Sequence, residues 1–258
     1  MGKYQGILIH RVHTGEDYLD VVDYADYRSL HFNSRSIQSR MLLSDPDRLV
    51  LEYTEAMMLA LAWQPEPKRV LLLGLGGGSQ ARYLLRHFPE CQLDAIEVLP
   101  RVTELAREFF SLPDTDRLTV YHMEAEAFMQ SGHLKESYDL ILADAFDHNG
   151  PVVSVFDETF LQALNQALAP DGVCVFNMWQ TDARDYAEVC HRVQSAMACD
   201  LYDVPLTEDP ENIVLIATQA ASTQKSLLRH CKRLEKTSGI KLRRHLKHLS
   251  RLTLPEAS

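Results

Sequence analysis

Cysteine is scarce and nowhere grouped. The five residues, Cys91, Cys174, Cys190, Cys199 and Cys231, are odd in number, and none stands in a Cys-x-x-Cys pair. That spacing argues against a disulfide framework or a thiolate zinc site, and it points to a reducing compartment, the cytoplasm. None of the eleven histidines pairs with another at a metal-ligand spacing, so no metal is expected. No hydrophobic run reaches the roughly 20 residues that span a bilayer, and residues 1–12 lack the apolar stretch of a signal peptide. Internal repeats and low-complexity tracts are missing too, which excludes a repeat architecture.

What is present is an ordinary globular composition. With 258 residues, 46% hydrophobic and 24% charged, the chain can bury a substantial core as one large domain with a small appendage. Its net charge of −10 is unevenly spread. Residues 222–251 hold ten Lys or Arg and one acid, which leaves about −19 on the rest. An acidic body attracts cationic small molecules and repels nucleic acid; a basic tail does the reverse.

Alternating stretches at 18–22 and 28–32 predict small antiparallel strands ahead of the main fold. An Ala-, Met- and Leu-rich helix is predicted over 52–63, stopped by Pro65 and Pro67. Strands then read at 69–73, 93–98, 118–121, 138–143, 173–178, 201–204 and 213–218. Between them, helices read at 80–87, 100–110, 157–168 and 182–197. This alternation predicts an α/β, Rossmann-like, doubly wound and mostly parallel seven-stranded sheet. The expected division is a small N-terminal β segment (1–50), the Rossmann-like domain (51–220) and a basic helical extension (221–258). Leu227, Leu228, Cys231 and Leu234 share a face of one tail helix, and Leu242, Leu246, Leu249 and Leu252 are spaced for a second. Such faces suit a helix pair that covers the domain with its charges in water.

Ligands of open α/β sheets bind at the carboxyl ends of the strands, near the switch point. Gly74, Gly76, Gly77 and Gly78 follow the first strand, where missing side chains let a ligand approach backbone and helix N–H groups. Glu97 ends the second strand about 20 residues on, placed to accept both hydroxyls of a ribose. Ser79 stands where a dinucleotide fingerprint has its last glycine, which lowers the nicotinamide reading. After the fourth strand come Asp144 and Asp147, carboxylates able to hold an ammonium or take a proton from an attacking amine.

With Gln38, the run Tyr53-Thr54-Glu55, the glycines with Ser79, Ile96-Glu97, Glu124-Ala125 and Asp144 to Asp147, the chain resembles the spermidine/spermine synthase (aminopropyltransferase) family over roughly residues 18–218. The resemblance implies a class I methyltransferase-like fold and an S-adenosylmethionine-type nucleotide, intact or decarboxylated, as group donor. It implies that Glu97, with Val98 beside it, holds the ribose and that Glu124 and Ala125 meet the adenine. Asp144 would be the base that activates the amine, Gln38 and Tyr53 would line the substrate side, and Asp147 would help bind the amine. A homodimer and a small cationic acceptor are implied as well. Several positions depart from the family pattern. Ser79 replaces an aspartate, Thr54 a histidine, Glu124-Ala125 an aspartate-glycine, and Ala145-Phe146 the serines between the two strand-four acids.

Three functions follow as expectations: aminopropyl transfer to an amine, methyl transfer on the same scaffold, and nucleotide binding without turnover through a partner-binding tail. His122 reads as a strand-end residue near the adenine, His148 as a loop residue, and Trp179 as either a pocket wall or a packing residue.

Overall fold

The computed structural model describes residues 3–14, 17–132, 137–144, 146–147, 150–151, 156–179, 183–210 and 212–253. Four strands, β1 (Ile7–Thr14), β2 (Asp17–Asp23), β3 (Tyr27–Phe32) and β4 (Ser39–Leu42), form an antiparallel sheet in sequential order. Helix α1 (Glu52–Met57) runs into a 3-10 helix, Met58–Ala62, so the predicted helix over 52–63 is α-helical only in its first half. The main fold continues with β5 (Arg69–Leu73), α2 (Ser79–His87), β6 (Gln92–Ile96), α3 (Pro100–Phe109), β7 (Leu118–Tyr121), α4 (Ala125–Gln130) and β8 (Tyr138–Ala143). A two-residue hairpin, β9 (Phe146–Asp147) and β10 (Gly150–Pro151), precedes α5 (Glu158–Ala167), β11 (Leu168–Trp179), α6 (Ala183–Met197), β12 (Asp200–Pro205) and β13 (Asn212–Thr218). The tail forms α7 (Gln224–Ser238), α8 (Leu242–Leu246) and β14 (Ser250–Arg251).

The large sheet has the order β14-β12-β13-β11-β8-β5-β6-β7. Strands β5, β6, β7, β8 and β11 are parallel, and β13 inserts antiparallel between β11 and β12. The seven expected strands are thus present, with an eighth supplied by the tail. Tyr202 and Asp203 of β12 pair with Arg251 and Ser250, which satisfies backbone groups that an open edge would leave unpaired. This corrects the tail reading. α8 stops at Leu246, and the Leu252 N–H bonds to the Leu201 carbonyl, so the four leucines from Leu242 onward share no single helix. On α7, Leu227, Cys231 and Leu234 are buried at i, i+4 and i+7, whereas Leu228, about 100° round the helix, is 37% exposed.

Two apolar layers sandwich the sheet. One contains Leu72, Leu140 and Val175 and extends to Leu227, Cys231 and Leu242 of the tail. The other contains Leu71, Ile141 and Phe176 with Phe160 and Leu164 of α5. A third cluster joins the N-terminal sheet, through Leu19, Leu30 and Met41, to Val102 and Leu105 of α3. α7 begins with a capping box between Thr223 and Ser226 and ends at Gly239 in the left-handed region, φ 75°. Among the described residues no helix is long and apolar enough to cross a membrane.

Candidate functional site

β5 is followed on one side by β6 and flanked on the other by β8, so the switch point lies between β5 and β8. The two loops that leave it are stitched together, because the Asp144 N–H donates to the Leu73 carbonyl at 2.8 Å. Above them opens a cavity of about 1030 Å³, lined by Gln38, Tyr53, Gly74, Gly76, Glu97 and Asp144 among others. Ser79, Val98, Glu124 and Ala125 also border it. Among the described residues, eight carboxylates line this space against two guanidinium groups, Arg35 and Arg40, which favours a cationic occupant.

Glu97 stands at the glycine-loop end of the cavity. Its carboxylate accepts N–H groups from Leu75 (3.3 Å), Gly76 (3.4 Å) and Leu99 (3.0 Å). Burial raises its pKa, and these three bonds oppose the rise. The two bonds to the loop are long, so the carboxylate retains lone pairs for vicinal hydroxyls. Glu124 is exposed and precedes α4, and Val98 is 47% exposed at the rim. His122 contacts Thr103 Oγ1 at 3.1 Å instead of lining the cavity.

The glycines divide into two roles. Gly74 and Gly76 border the cavity, whereas Gly77 and Gly78 do not. The Gly77 N–H donates to Ser39 Oγ at 2.7 Å, and a Cβ there would lie 2.8 Å from Ser39 Cβ and 3.2 Å from Phe110. Gly78 (φ 73°) ends the loop against Leu112. Both let the N-terminal sheet and the end of α3 seat on the loop, which leaves Gly74 and Gly76 as the glycines open to the cavity. Gly77→Ala is expected to destabilise the fold by about 1–3 kcal/mol through overpacking, read as a lowered thermal midpoint.

Asp144 borders the same cavity from the end of β8. Asn177 Nδ2 donates to Asp144 Oδ1 at 2.9 Å, and the Tyr53 hydroxyl lies close enough to the same carboxylate to favour its charged form. That hydroxyl is also 3.4 Å from the Gln38 carbonyl. Burial pushes the Asp144 pKa up to about 6 despite those two neighbours. Burial, then the charge of Asp144, holds Tyr53 well above the usual phenol range, so it stays a donor. A carboxylate poised near neutrality beside a phenol and a carboxamide suits proton transfer from an amine. Asp147 is placed in β9, but its side chain, that of Trp179, and all of Ala145 and His148 lie outside the described residues.

Sequence reasoning passed over three contributors. Asn177 was signalled as the polar residue in the apolar run Val-Cys-Val-Phe-Asn-Met-Trp of β11. Glu52, 6% exposed, faces the cavity from the first turn of α1. Arg82, 1% exposed, donates to the Pro46 carbonyl at 2.9 Å and to the Gly77 carbonyl, and its Nη2 lies 3.5 Å from Ser79 Oγ. Burial lowers its pKa to about 10, which leaves it charged near neutrality. Nothing in the helical pattern of α2 distinguishes it from a surface arginine.

Comparison with known proteins places these features in context. The spermine/spermidine synthase domain model matches residues 51–225. A polyamine aminopropyltransferase from Chromobacterium violaceum is 34% identical over 223 residues, 86% of this chain and 84% of that one. A spermidine synthase solved with the transition-state analogue AdoDATO aligns over 93% of this chain and 85% of that one, with a TM-score of 0.73 and 17% identity. Human methyltransferase-like protein 13, solved with SAH, aligns over 75% of this chain and 93% of that one, with a TM-score of 0.66 and 26% identity.

Proposed function

Since the chain belongs to the spermine/spermidine synthase family, we propose that it moves an aminopropyl group from decarboxylated S-adenosylmethionine to a small amine. One observation carries this reading: Asp144, hydrogen-bonded by Asn177 and neighboured by the Tyr53 hydroxyl, shares an acid-rich cavity with Glu97 and the glycine loop. Glu97 holds the ribose, Gly74 and Gly76 expose backbone to the nucleotide, and Glu124 with Ala125 borders the adenine. Asp144 accepts a proton from the amine while Tyr53 and Gln38 fix its approach, and Asp147 contributes to amine binding. In the step itself the amine nitrogen forms a bond to the carbon beside the sulfonium. The carbon–sulfur bond breaks with its electrons going to sulfur, leaving a neutral thioether, and the amine proton passes to Asp144. The cationic sulfonium is already a good leaving group, so the residues mainly orient and desolvate.

Turnover of the decarboxylated donor with putrescine and spermidine, followed by mass spectrometry, tests the reading. Aminopropylated amine is expected; donor binding without any product would sink it and favour a binding module.

Methyl transfer is the second reading, and Ser79 beside the buried cation Arg82 favours it. That pairing lacks the negative charge which would reject the carboxylate of intact S-adenosylmethionine. Calorimetric titration with both nucleotides separates the two, since methyl transfer requires tight binding of the intact form.

The assembly we favour is a cytoplasmic homodimer. Ile7, Leu8 and Ile9 of the outer strand β1 are 72%, 43% and 37% exposed, a sheet edge suited to cover by a second copy. Sedimentation of the wild type is expected to give twice the chain mass, and of an Ile7→Lys/Ile9→Lys variant the single mass.

A further inference from the structure

The catalytic side of the cavity depends on a helix too short to hold itself. α1 has six residues and no side-chain N-cap bond, and an isolated helix of that length is unstable in water. Yet it carries Tyr53, whose hydroxyl must reach Asp144. Burial of Ala56 and Met57 holds its far end, and the acids on either side of Tyr53 are its polar anchors. Glu52 accepts the Thr207 N–H (2.9 Å), the Thr207 hydroxyl (2.8 Å) and the Glu208 N–H (2.5 Å), which ties α1 to the loop between β12 and β13. Glu55 is held by the tail, with Arg244 Nη2 at 2.6 Å and His245 Nε2 at 3.4 Å. Arg244 also reaches Glu208 Oε1 with its other terminal nitrogen, at 3.4 Å. One guanidinium therefore spans the catalytic helix and a loop whose Glu208 lines the cavity.

The Glu55 end of these ties is buried, while the Arg244 side chain is 41% exposed. His245 is 2% exposed, and the Glu55 side chain is 12% exposed. Bonds from His245 and Arg244 hold the Glu55 pKa below its usual value although burial raises it. Arginine suits the position, because only a forked cation serves two carboxylates on different elements at once. Among the described residues, the tail's other arginine pairs with the body are plainer. Arg251 meets Asp200 and Arg233 meets Glu66, both on exposed surface and away from α1.

Resting on the aminopropyl-transfer reading of the cavity, we infer that Arg244 and His245 of the C-terminal tail are positioning residues, pinning α1 through Glu55 so that the Tyr53 hydroxyl stays beside Asp144. The tail lies beyond the stretch matched by the family model, which ends at residue 225. The catalytic arrangement of this chain thus depends on a segment outside the shared domain.

Four variants test the pin in the full chain. Arg244→Ala is expected to lower kcat/KM for the amine roughly tenfold, the scale of one lost hydrogen bond to a charged group, with nucleotide affinity unchanged. Arg244→Lys keeps the charge but not the fork, and is expected to recover only part of the loss. Arg251→Ala cuts a tail–body ion pair that avoids α1 and is expected to match the wild type. Glu55→Gln supplies the decisive sign. Removing an anion would by charge alone move the acid limb of the pH profile down, whereas displacing the Tyr53 hydroxyl from Asp144 moves it up; the upward shift is expected. An unchanged or downward limb, or equal effects of Arg244→Ala and Arg251→Ala, overturns the inference. Hydrogen exchange at the amides of residues 52–57 reads the pin without any turnover. It is expected to quicken in Arg244→Ala and not in Arg251→Ala, and unchanged exchange also overturns the inference. A wild type that turns over no amine would instead overturn the activity reading, with the exchange result standing apart.

Discussion

Asp144→Asn is expected to cut amine turnover by roughly 10²–10⁴-fold, the contribution of a positioned general base, and at the same time to make the protein more stable at pH 8. The two effects share one cause. The folded pKa of Asp144, about 6, stands above its ordinary 3.8 because burial disfavours the charge. Between those values the folded protein holds a proton that the unfolded chain has released. Stability conferred on the fold therefore falls as pH rises through this window. Above about pH 6 the ionised, desolvated group costs on the order of 2–3 kcal/mol. Asparagine keeps an oxygen to accept from Asn177 while removing the charge. Melting curves at pH 4 and pH 8 should show the variant's advantage only at the higher value. The wild-type kcat/KM profile should rise through about pH 6, and the variant's residual activity should lack that limb. A variant less stable than the wild type at pH 8 would contradict this account of the site.

Ser79→Asp is the second large effect. The substitution is expected to shift the ratio of affinities toward decarboxylated over intact S-adenosylmethionine by about 10- to 100-fold. A carboxylate 4 Å from the carboxylate of the intact donor costs roughly 4 kcal/mol at an effective dielectric of 20, which alone would give close to a thousandfold. Arg82 lowers that figure, since its Nη2 lies 3.5 Å from the Ser79 side chain and would partly neutralise the new charge. Titration calorimetry with the two nucleotides measures the ratio directly. No change would mean that the donor's amino-acid end lies away from residue 79, and methyl transfer would lose its main support. Combining the change with Arg82→Lys should restore little of the missing discrimination, because a lysine there keeps the cation.

The parallel core was legible because burial on both faces writes itself into the chain. β5, β7 and β8 have the predicted bounds exactly where Leu- and Val-rich runs meet polar or glycine breaks. β1 and β4 were not, for opposite reasons. β1 exposes Ile7, Leu8 and Ile9, so its apolar residues report no interior, and β4 is four residues whose pairing depends on β3. α4 has a single fully buried residue, Phe128, too little to set a helical period. Glu97 and Asp144 could be placed because each follows a strand end. Asn177 stood out as a polar residue in an apolar run, but its role and that of Arg82 come from neighbours 33 residues and 3–36 residues away in sequence. The pinning of α1 was invisible for the same reason: Glu55 and Arg244 are distant in the chain, and charge spacing says nothing about that distance.

The seat of Ser39 on Gly77 sets a limit on how this protein can be cut. The segment from residue 51 through the tail contains every strand of the large sheet, and on topology alone it looks like a transplantable module. Its glycine loop, however, gives the Gly77 N–H to a hydroxyl from β4, and Ser79 Oγ leans on the Arg40 carbonyl at 3.4 Å. A fragment starting at residue 51 would keep the sheet and lose the mould in which the loop is cast. The boundary of the binding unit therefore does not coincide with the boundary of the fold, and a chimera that preserves nucleotide affinity has to carry β3 and β4 along with the domain.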